Sequence, residues 1–163
     1  MARHAWAGLL LGLAAMAAQA EAGLVVLVRH AEKAPGGGID PALSEQGRAR
    51  AAALAERMGG IPIKAIFVTE YRRTRQSAES LARKLGIAPR IVAAGDIEAL
   101  VAAIRDLPRE SAVLVIGHGN TVPQIVAALG GPLLRDFNES EYDRLLQLHL
   151  QDDAPARLEQ SRY

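Results

Sequence analysis

The chain has 163 residues, half of them hydrophobic, and a formal net charge of +1 with histidines neutral. It contains no cysteine, which excludes disulfides and a lipoprotein anchor, so the core alone must stabilise the fold. There is no basic block and no interleaving of basic with aromatic residues. We therefore expect binding neither to nucleic acid nor to an anionic membrane surface.

The first 20 residues have the pattern of a signal peptide. A basic start at Arg3 and His4 precedes an uncharged run to Ala20, which closes with the small-x-small sequence Ala-Gln-Ala. We expect cleavage after Ala20, a periplasmic or secreted protein without stable membrane association, and one domain over residues 21–163. The alternative is an uncleaved N-terminal anchor, which the run is short to form because a membrane span needs about 20 residues.

Strand and helix patterns alternate through the rest of the chain. The apolar run 24–28 predicts a buried strand, and Ser44 predicts the N-cap of a helix that ends at Gly59-Gly60. The further predicted elements are strand 65–68, a helix from about 72 to 85, a short edge strand at 89–92, a helix capped by Asp96, strand 113–116, a helix from about 121 to 129, strand 145–150 and an edge strand at 156–159. This order predicts an α/β three-layer sandwich, with a largely parallel sheet covered by helices on both faces.

Two of the predicted strands have a histidine just beyond their carboxyl ends. Arg29-His30 follows strand 24–28, and Gly117-His118 follows strand 113–116. In open α/β sheets, ligands bind in the crevice beyond the carboxyl ends of the strands. We therefore predict that His30 and His118 share one site, toward which the helix from Thr121 directs its N-terminal N–H groups.

Four motifs in chain order carry a resemblance to a known family. They are Val28-Arg29-His30-Ala31-Glu32, Leu43-Ser44-Glu45-Gln46-Gly47, the segment from Thr69 to Ala78, and Ile116-Gly117-His118-Gly119-Asn120. The first three resemble the Arg-His-Gly-Glu signature, the Leu-[Ser/Thr]-x-x-Gly helix start and the Ser-x-x-x-Arg-Ala-x-Gln-Thr-Ala segment of the histidine phosphatase superfamily. This superfamily includes phosphoglycerate mutases and many small phosphatases. Ala31 stands where the family signature has glycine.

The resemblance implies a phosphoglycerate mutase-like fold and a catalytic site. It makes His30 the nucleophile, which forms a phosphohistidine intermediate, and it makes Arg29, Arg73 and His118 the groups that bind the transferring phosphoryl group. The chemistry of these side chains agrees, because unprotonated imidazole is a competent nucleophile and arginine forks stabilise charge on phosphoryl oxygens. Since two arginines supply the positive charge, we expect neither a metal nor another cofactor.

The sequence offers two candidates for the general acid and three neighbouring arginines for the pocket. Many family members place a Glu or Asp after the arginine helix to protonate the leaving oxygen. Asp96 and Glu98 lie in that region, but an N-cap and a first-turn carboxylate also explain them, and some small members manage without such an acid. The motif register selects Arg73 for the pocket and leaves Arg72 and Arg75 on solvated faces of the helix.

These observations together predict an exported, metal-independent phosphomonoesterase that acts on a small phosphorylated substrate, with sugar phosphates as one candidate class. Only about 40 residues separate Arg73 from strand 113–116, which argues against the mutase branch because its members carry an insertion there. Two alternatives stay open. One is a non-catalytic phosphate- or phosphosugar-binding protein, and the other is a phosphatase for phosphohistidine on proteins, which the export signal disfavours.

Overall fold

The computed structural model describes residues 23–163, so the predicted signal peptide at residues 1–20 lies outside the described residues. Within this range the elements are β1 (Leu24–Arg29), α1 (Glu45–Arg57), β2 (Ile63–Val68), α2 (Arg72–Leu85), β3 (Arg90–Ile91), α3 (Ile97–Arg105), β4 (Ala112–Gly117), α4 (Thr121–Ala128), β5 (Arg144–His149) and β6 (Arg157–Arg162). Every element predicted from the sequence is present, with small differences at its ends. No helix in residues 23–163 is both long and apolar enough to cross a membrane.

The six strands form one sheet in the order β3-β2-β4-β1-β5-β6. The first four of these are parallel to one another, whereas β5 is antiparallel to β1 and β6 is antiparallel to β5. The predicted α/β sheet is thus confirmed as largely parallel, with two antiparallel strands at one edge. The short connection between β5 and β6 permits this arrangement, because antiparallel neighbours need no crossover helix.

Both faces of the sheet are covered by helices, which explains why the central strands are apolar throughout. Successive side chains of a strand point to opposite faces. Accordingly Val25 and Leu27 of β1 pack with α3 and α4, whereas Val26 and Val28 pack with α1 and α2. The strands β2 and β4 alternate in the same way. The result is the predicted three-layer sandwich, and it fixes the carboxyl ends of β1, β2 and β4 side by side.

Gly47 shows why the second motif requires glycine in the first turn of α1. Ser44 caps this helix, its Oγ accepting a hydrogen bond from the Gly47 N–H at 3.0 Å. A Cβ added at Gly47 would lie 2.3 Å from the backbone oxygen of Glu32. The glycine therefore lets α1 approach the backbone that follows His30.

We expect Gly47→Ala to lower the free energy of unfolding by about 1–3 kcal/mol, since the added Cβ meets backbone that cannot yield without moving the strand end. Gly60→Ala is the matched control, because a Cβ there meets nothing within 4 Å. Urea unfolding of both variants measures the effect. Equal stability of the Gly47→Ala and Gly60→Ala proteins would contradict this account of the motif.

Candidate active site

The parallel pairing of β1 with β4 brings the two histidines together. Arg29 lies opposite Gly117 in the ladder, and the next N–H, that of His30, donates to the Gly117 carbonyl oxygen at 2.9 Å. The segments that follow β1 and β4 therefore leave the sheet side by side. The rings of His30 and His118 meet edge to face with their centroids 5.4 Å apart. Both side chains are buried. The two histidines thus form one site at the carboxyl end of the sheet.

The His30 ring is held as a neutral imidazole with its Nε2 lone pair free. Its Nδ1 lies 2.8 Å from the Ala31 carbonyl oxygen. A carbonyl oxygen only accepts hydrogen bonds, so Nδ1 carries the proton and Nε2 does not. Burial lowers the pKa of His30 to about 3, and the nearby His118, Arg29 and Arg73 act in the same direction against the Ala31 hydrogen bond. This is the protonation state that a nucleophilic imidazole needs.

Arg29 is fixed by the loop between α4 and β5. Its Nη1 donates to the carbonyl oxygens of Asn138 at 2.8 Å and Glu139 at 3.1 Å. Its guanidinium carbon lies 4.2 Å from the centre of the Tyr142 ring. This loop is in turn anchored by a hydrogen bond from the Phe137 N–H to the Gly119 oxygen at 2.9 Å.

Arg73 approaches the histidines from the first turn of α2. Its Nη2 lies 3.4 Å from Nδ1 of His118, and its guanidinium carbon lies 4.3 Å from the centre of the Tyr71 ring. Arg72 and Arg75 are exposed and line a separate groove between α2 and β3. The structure thus places Arg73 alone of these three arginines beside His118.

Both pocket arginines keep a donor available. The Nε atoms of Arg29 and Arg73 are buried and have no hydrogen-bond partner within residues 23–163. A buried donor without an acceptor is costly, by about 1–3 kcal/mol and more for a charged group. Cationic donors of this kind, near two neutral histidines, fit an anion with several oxygen acceptors.

The polar residues near the end of the third motif, Gln76 and Ser77, have a structural role. The Ser77 hydroxyl donates to the Arg73 carbonyl oxygen at 2.7 Å and accepts the Ala31 N–H at 2.9 Å. The Gln76 side-chain oxygen accepts the Leu43 N–H at 2.8 Å. These bonds tie α2, which carries Arg73, to the segments that follow His30.

The chain matches a known family over the segment that contains most of this site. Residues 25–95 match the family model of the histidine phosphatase superfamily, branch 1. The matched segment includes Arg29, His30 and Arg73, and β4 adds His118 beside them. Over this segment the chain is similar to the histidine phosphatase superfamily.

Solved structures of several phosphatases share the fold. The protein histidine phosphatase SixA, in complex with tungstate, matches with a TM-score of 0.68 and 20% identity, covering 85% of this chain and 96% of that one. A mycobacterial glucosyl-3-phosphoglycerate phosphatase matches with a TM-score of 0.65 and 18% identity, covering 86% of this chain and 97% of that one. A structure of the same mycobacterial enzyme with inorganic phosphate has a TM-score of 0.60 and 21% identity, with 86% and 96% covered. Among curated proteins, none matches this chain.

The two candidates for a general acid, Asp96 and Glu98, both lie at the start of α3. Asp96 accepts the Ala99 N–H at 3.0 Å and so caps α3, and Glu98 is exposed in the first turn of that helix. The carboxylate whose charge acts on His118 is that of Glu70, which sequence reasoning did not select. Residues 23–163 contain no group of three or more His, Cys, Asp or Glu side chains that could hold a metal ion.

Sequence reasoning also missed two residues that contact the pocket arginines. Tyr142 and Tyr71 each lie under one of the two arginines. The chain has only three tyrosines, and Tyr71 lies within the arginine motif, so the sequence carried a signal for these residues. Glu32 of the first motif forms a salt bridge with Arg50, 2.6 Å between Nη2 and Oε1.

The two buried histidines make stability depend on pH. In the unfolded chain each takes up a proton with a pKa of 6.5, whereas burial in the folded protein lowers the pKa of His30 to about 3 and that of His118 to about 4. Between these values the unfolded state binds more protons, so the free energy of unfolding falls as the pH falls below 6.5. We expect a loss approaching about 1.4 kcal/mol per pH unit for each histidine.

Chemical denaturation at several pH values between about 7 and 5 measures this slope, in a range where ordinary carboxylates stay ionised. His118→Asn should remove roughly half of the slope, because one of the two uncharged rings is then absent. A slope that is the same in the wild-type and His118→Asn proteins would show that His118 is not buried in its neutral form.

Proposed function

We propose that this protein is a histidine phosphatase, an exported, metal-independent phosphomonoesterase that works through a phosphohistidine at His30. One observation carries the proposal. The buried, neutral His30 donates from Nδ1 to the Ala31 carbonyl oxygen and so keeps the lone pair on Nε2, and its ring lies near enough to Arg29 and Arg73 for their charges to lower its pKa. The buried Nε–H groups of both arginines have no acceptor within residues 23–163. A nucleophile beside two cationic donors is suited to a phosphoryl group.

The reaction proceeds in two displacements. In the first, the Nε2 lone pair of His30 attacks phosphorus, the P–N bond forms, the ester P–O bond breaks, and the leaving oxygen takes a proton from solvent to become the alcohol. In the second, water attacks phosphorus and gives up a proton to solvent, the P–N bond breaks, inorganic phosphate is released and His30 is regenerated. Arg29 and Arg73 hold the phosphoryl oxygens and offset the negative charge, which is the main task of a protein in phosphoryl transfer.

The substrate proposed is a small phosphorylated molecule, with sugar phosphates as the first class to examine. The fold is shared with a glucosyl-3-phosphoglycerate phosphatase, which supports this class. A phosphohistidine side chain on a protein is the second candidate. It is favoured by the placement of Asp96 as a helix cap, because an imidazole leaving group depends less than an alkoxide on a carboxylic acid. The proposed export favours the small molecule.

Hydrolysis of p-nitrophenyl phosphate in the presence of EDTA tests the proposal. We expect turnover that EDTA does not reduce, and release of inorganic phosphate from members of a sugar phosphate panel. Turnover of a phosphohistidine protein alone would select the second candidate. If phosphate binds but no phosphorylated compound is hydrolysed, the protein is a binding protein and the proposal is wrong.

A further inference from the structure

The imidazole of His118 is fixed on its side away from Arg73 by a chain of two hydroxyl groups. Its Nε2 lies 3.1 Å from Oγ1 of Thr69, and that oxygen lies 2.9 Å from Oγ1 of Thr74. The Thr74 hydroxyl lies 2.8 Å from the carbonyl oxygen of Tyr71, which can only accept. Thr69 and Thr74 are both buried, Thr74 completely.

The direction of each hydrogen bond follows from the groups at the two ends of this hydrogen-bonded row, Arg73 and the Tyr71 carbonyl oxygen. At one end the Arg73 guanidinium, which only donates, lies 3.4 Å from Nδ1 of His118, so Nδ1 accepts. The neutral ring then carries its proton on Nε2 and donates it to Thr69. Thr69 donates to Thr74, and Thr74 donates to the Tyr71 carbonyl oxygen. The hydroxyls of Thr69 and Thr74 thus each donate one hydrogen bond and accept another.

We propose that Thr69, supported by Thr74, is the positioning residue that holds the His118 ring and fixes its proton on Nε2. The two facing histidines then have opposite tautomers, because His30 carries its proton on Nδ1. This inference rests on the proposed function for its catalytic consequence. With Nε2 already protonated, a proton taken up by His118 goes to Nδ1, the nitrogen on the side of Arg73. His118 can then donate from Nδ1 to a phosphoryl oxygen.

Thr74 is a departure from the family motif, whose matching position is alanine. Its hydroxyl accepts the Thr69 N–H at 3.2 Å as well as facing the Thr69 hydroxyl. In this chain, therefore, α2 contributes the second hydroxyl that orients Thr69. The charged and titratable groups that face or act on the His118 ring are Arg73, Arg29 and Glu70, together with the rings of His30 and Tyr71 at 5.4 Å and 5.3 Å. The two threonines add an uncharged acceptor to this set.

Nitrogen-15 NMR of the histidine side chains near neutral pH tests the inference directly, because the two nitrogen shifts of a neutral ring report which one carries the proton. We expect the Nε2–H form for His118 and the Nδ1–H form for His30 in the wild-type protein. Thr69→Val, which removes the hydroxyl but keeps the shape, should shift the His118 signals toward a mixture of forms and leave those of His30 unchanged. Single replacements of each histidine assign the signals.

Steady-state kinetics on the same proteins give the second measurement. We expect Thr69→Val to lower kcat roughly 10-fold to 100-fold with a smaller change in KM, Thr69→Ser to restore both kcat and the tautomer, and Thr74→Ala to have an intermediate effect. Ser111→Ala is the control, since it removes a buried hydroxyl at the other end of β4.

The two measurements separate the positioning role from the proposed function. A His118 that carries its proton on Nδ1 in the wild-type protein, or one whose signals do not respond to Thr69→Val, would overturn the inference whatever the kinetics. A response of the His118 signals in a protein that hydrolyses no phosphate ester would support the positioning role and contradict the proposed function.

Discussion

His30→Ala is expected to lower kcat for p-nitrophenyl phosphate by about 10⁴-fold or more, because the variant has no atom to form the bond to phosphorus. Phosphate binding should persist, since Arg29 is held by backbone carbonyl oxygens and the Tyr142 ring rather than by His30. Turnover assays and phosphate titration by calorimetry measure the two effects separately.

His149→Ala is the control for this variant. His149 pairs with Leu24, the first residue of β1, and so lies about 20 Å from His30 at ~3.3 Å per residue. Its removal should leave kcat unchanged. If the His30→Ala protein kept wild-type activity, or if His149→Ala lost as much as His30→Ala, the assignment of His30 as nucleophile would be wrong.

Arg73→Lys is expected to lower kcat/KM by roughly 10²- to 10³-fold although the positive charge is kept. Lysine is a point charge, whereas the arginine fork presents several donors in one plane to the phosphoryl oxygens. The variant also loses the contact with the Tyr71 ring and the buried Nε–H, which has no partner in the described part of the chain. Initial rates over a range of substrate concentrations measure the loss.

Arg75→Lys, two residues further along α2, is the matched control. Arg75 is exposed in the groove between α2 and β3, on another face of the helix, so its replacement should change kcat/KM by less than about threefold. Similar losses in the two variants would show that the effect is not specific to the Arg73 fork beside His118 and would contradict its assigned role.

The parts of the fold that depend on local sequence could be predicted. Ser44 and Asp96 cap α1 and α3 as expected, because an N-cap bond joins residues three apart. The continuous apolar runs of β1 and β4 predicted buried strands, and the alternation of strands with helices predicted that they are parallel. The antiparallel direction of β5 and β6 could not be predicted in this way, since a run of apolar residues carries no information about the direction of its neighbour.

The same distinction applies to the site: residues in local motifs could be predicted, whereas those that act only after packing could not. The histidines and Arg73 were predictable because their motifs occur at strand and helix ends, and β1–β4 pairing then brings His30 and His118 together. The loop that holds Arg29 was not, because it acts through the backbone oxygens of Asn138 and Glu139, which any sequence possesses. The hydroxyl chain behind His118 was missed because its two threonines are meaningful only once β2 and α2 are packed together.

The central claim is that His30 becomes phosphorylated during turnover. Quenching the reaction with alkali, digesting the protein and sequencing its peptides by mass spectrometry tests this most directly. The account predicts one phosphorylated peptide, carrying the group on His30, which survives alkali, disappears in acid and is absent from the His30→Ala protein. A phosphoryl group that is stable to acid, or that lies on any residue other than His30, would contradict it.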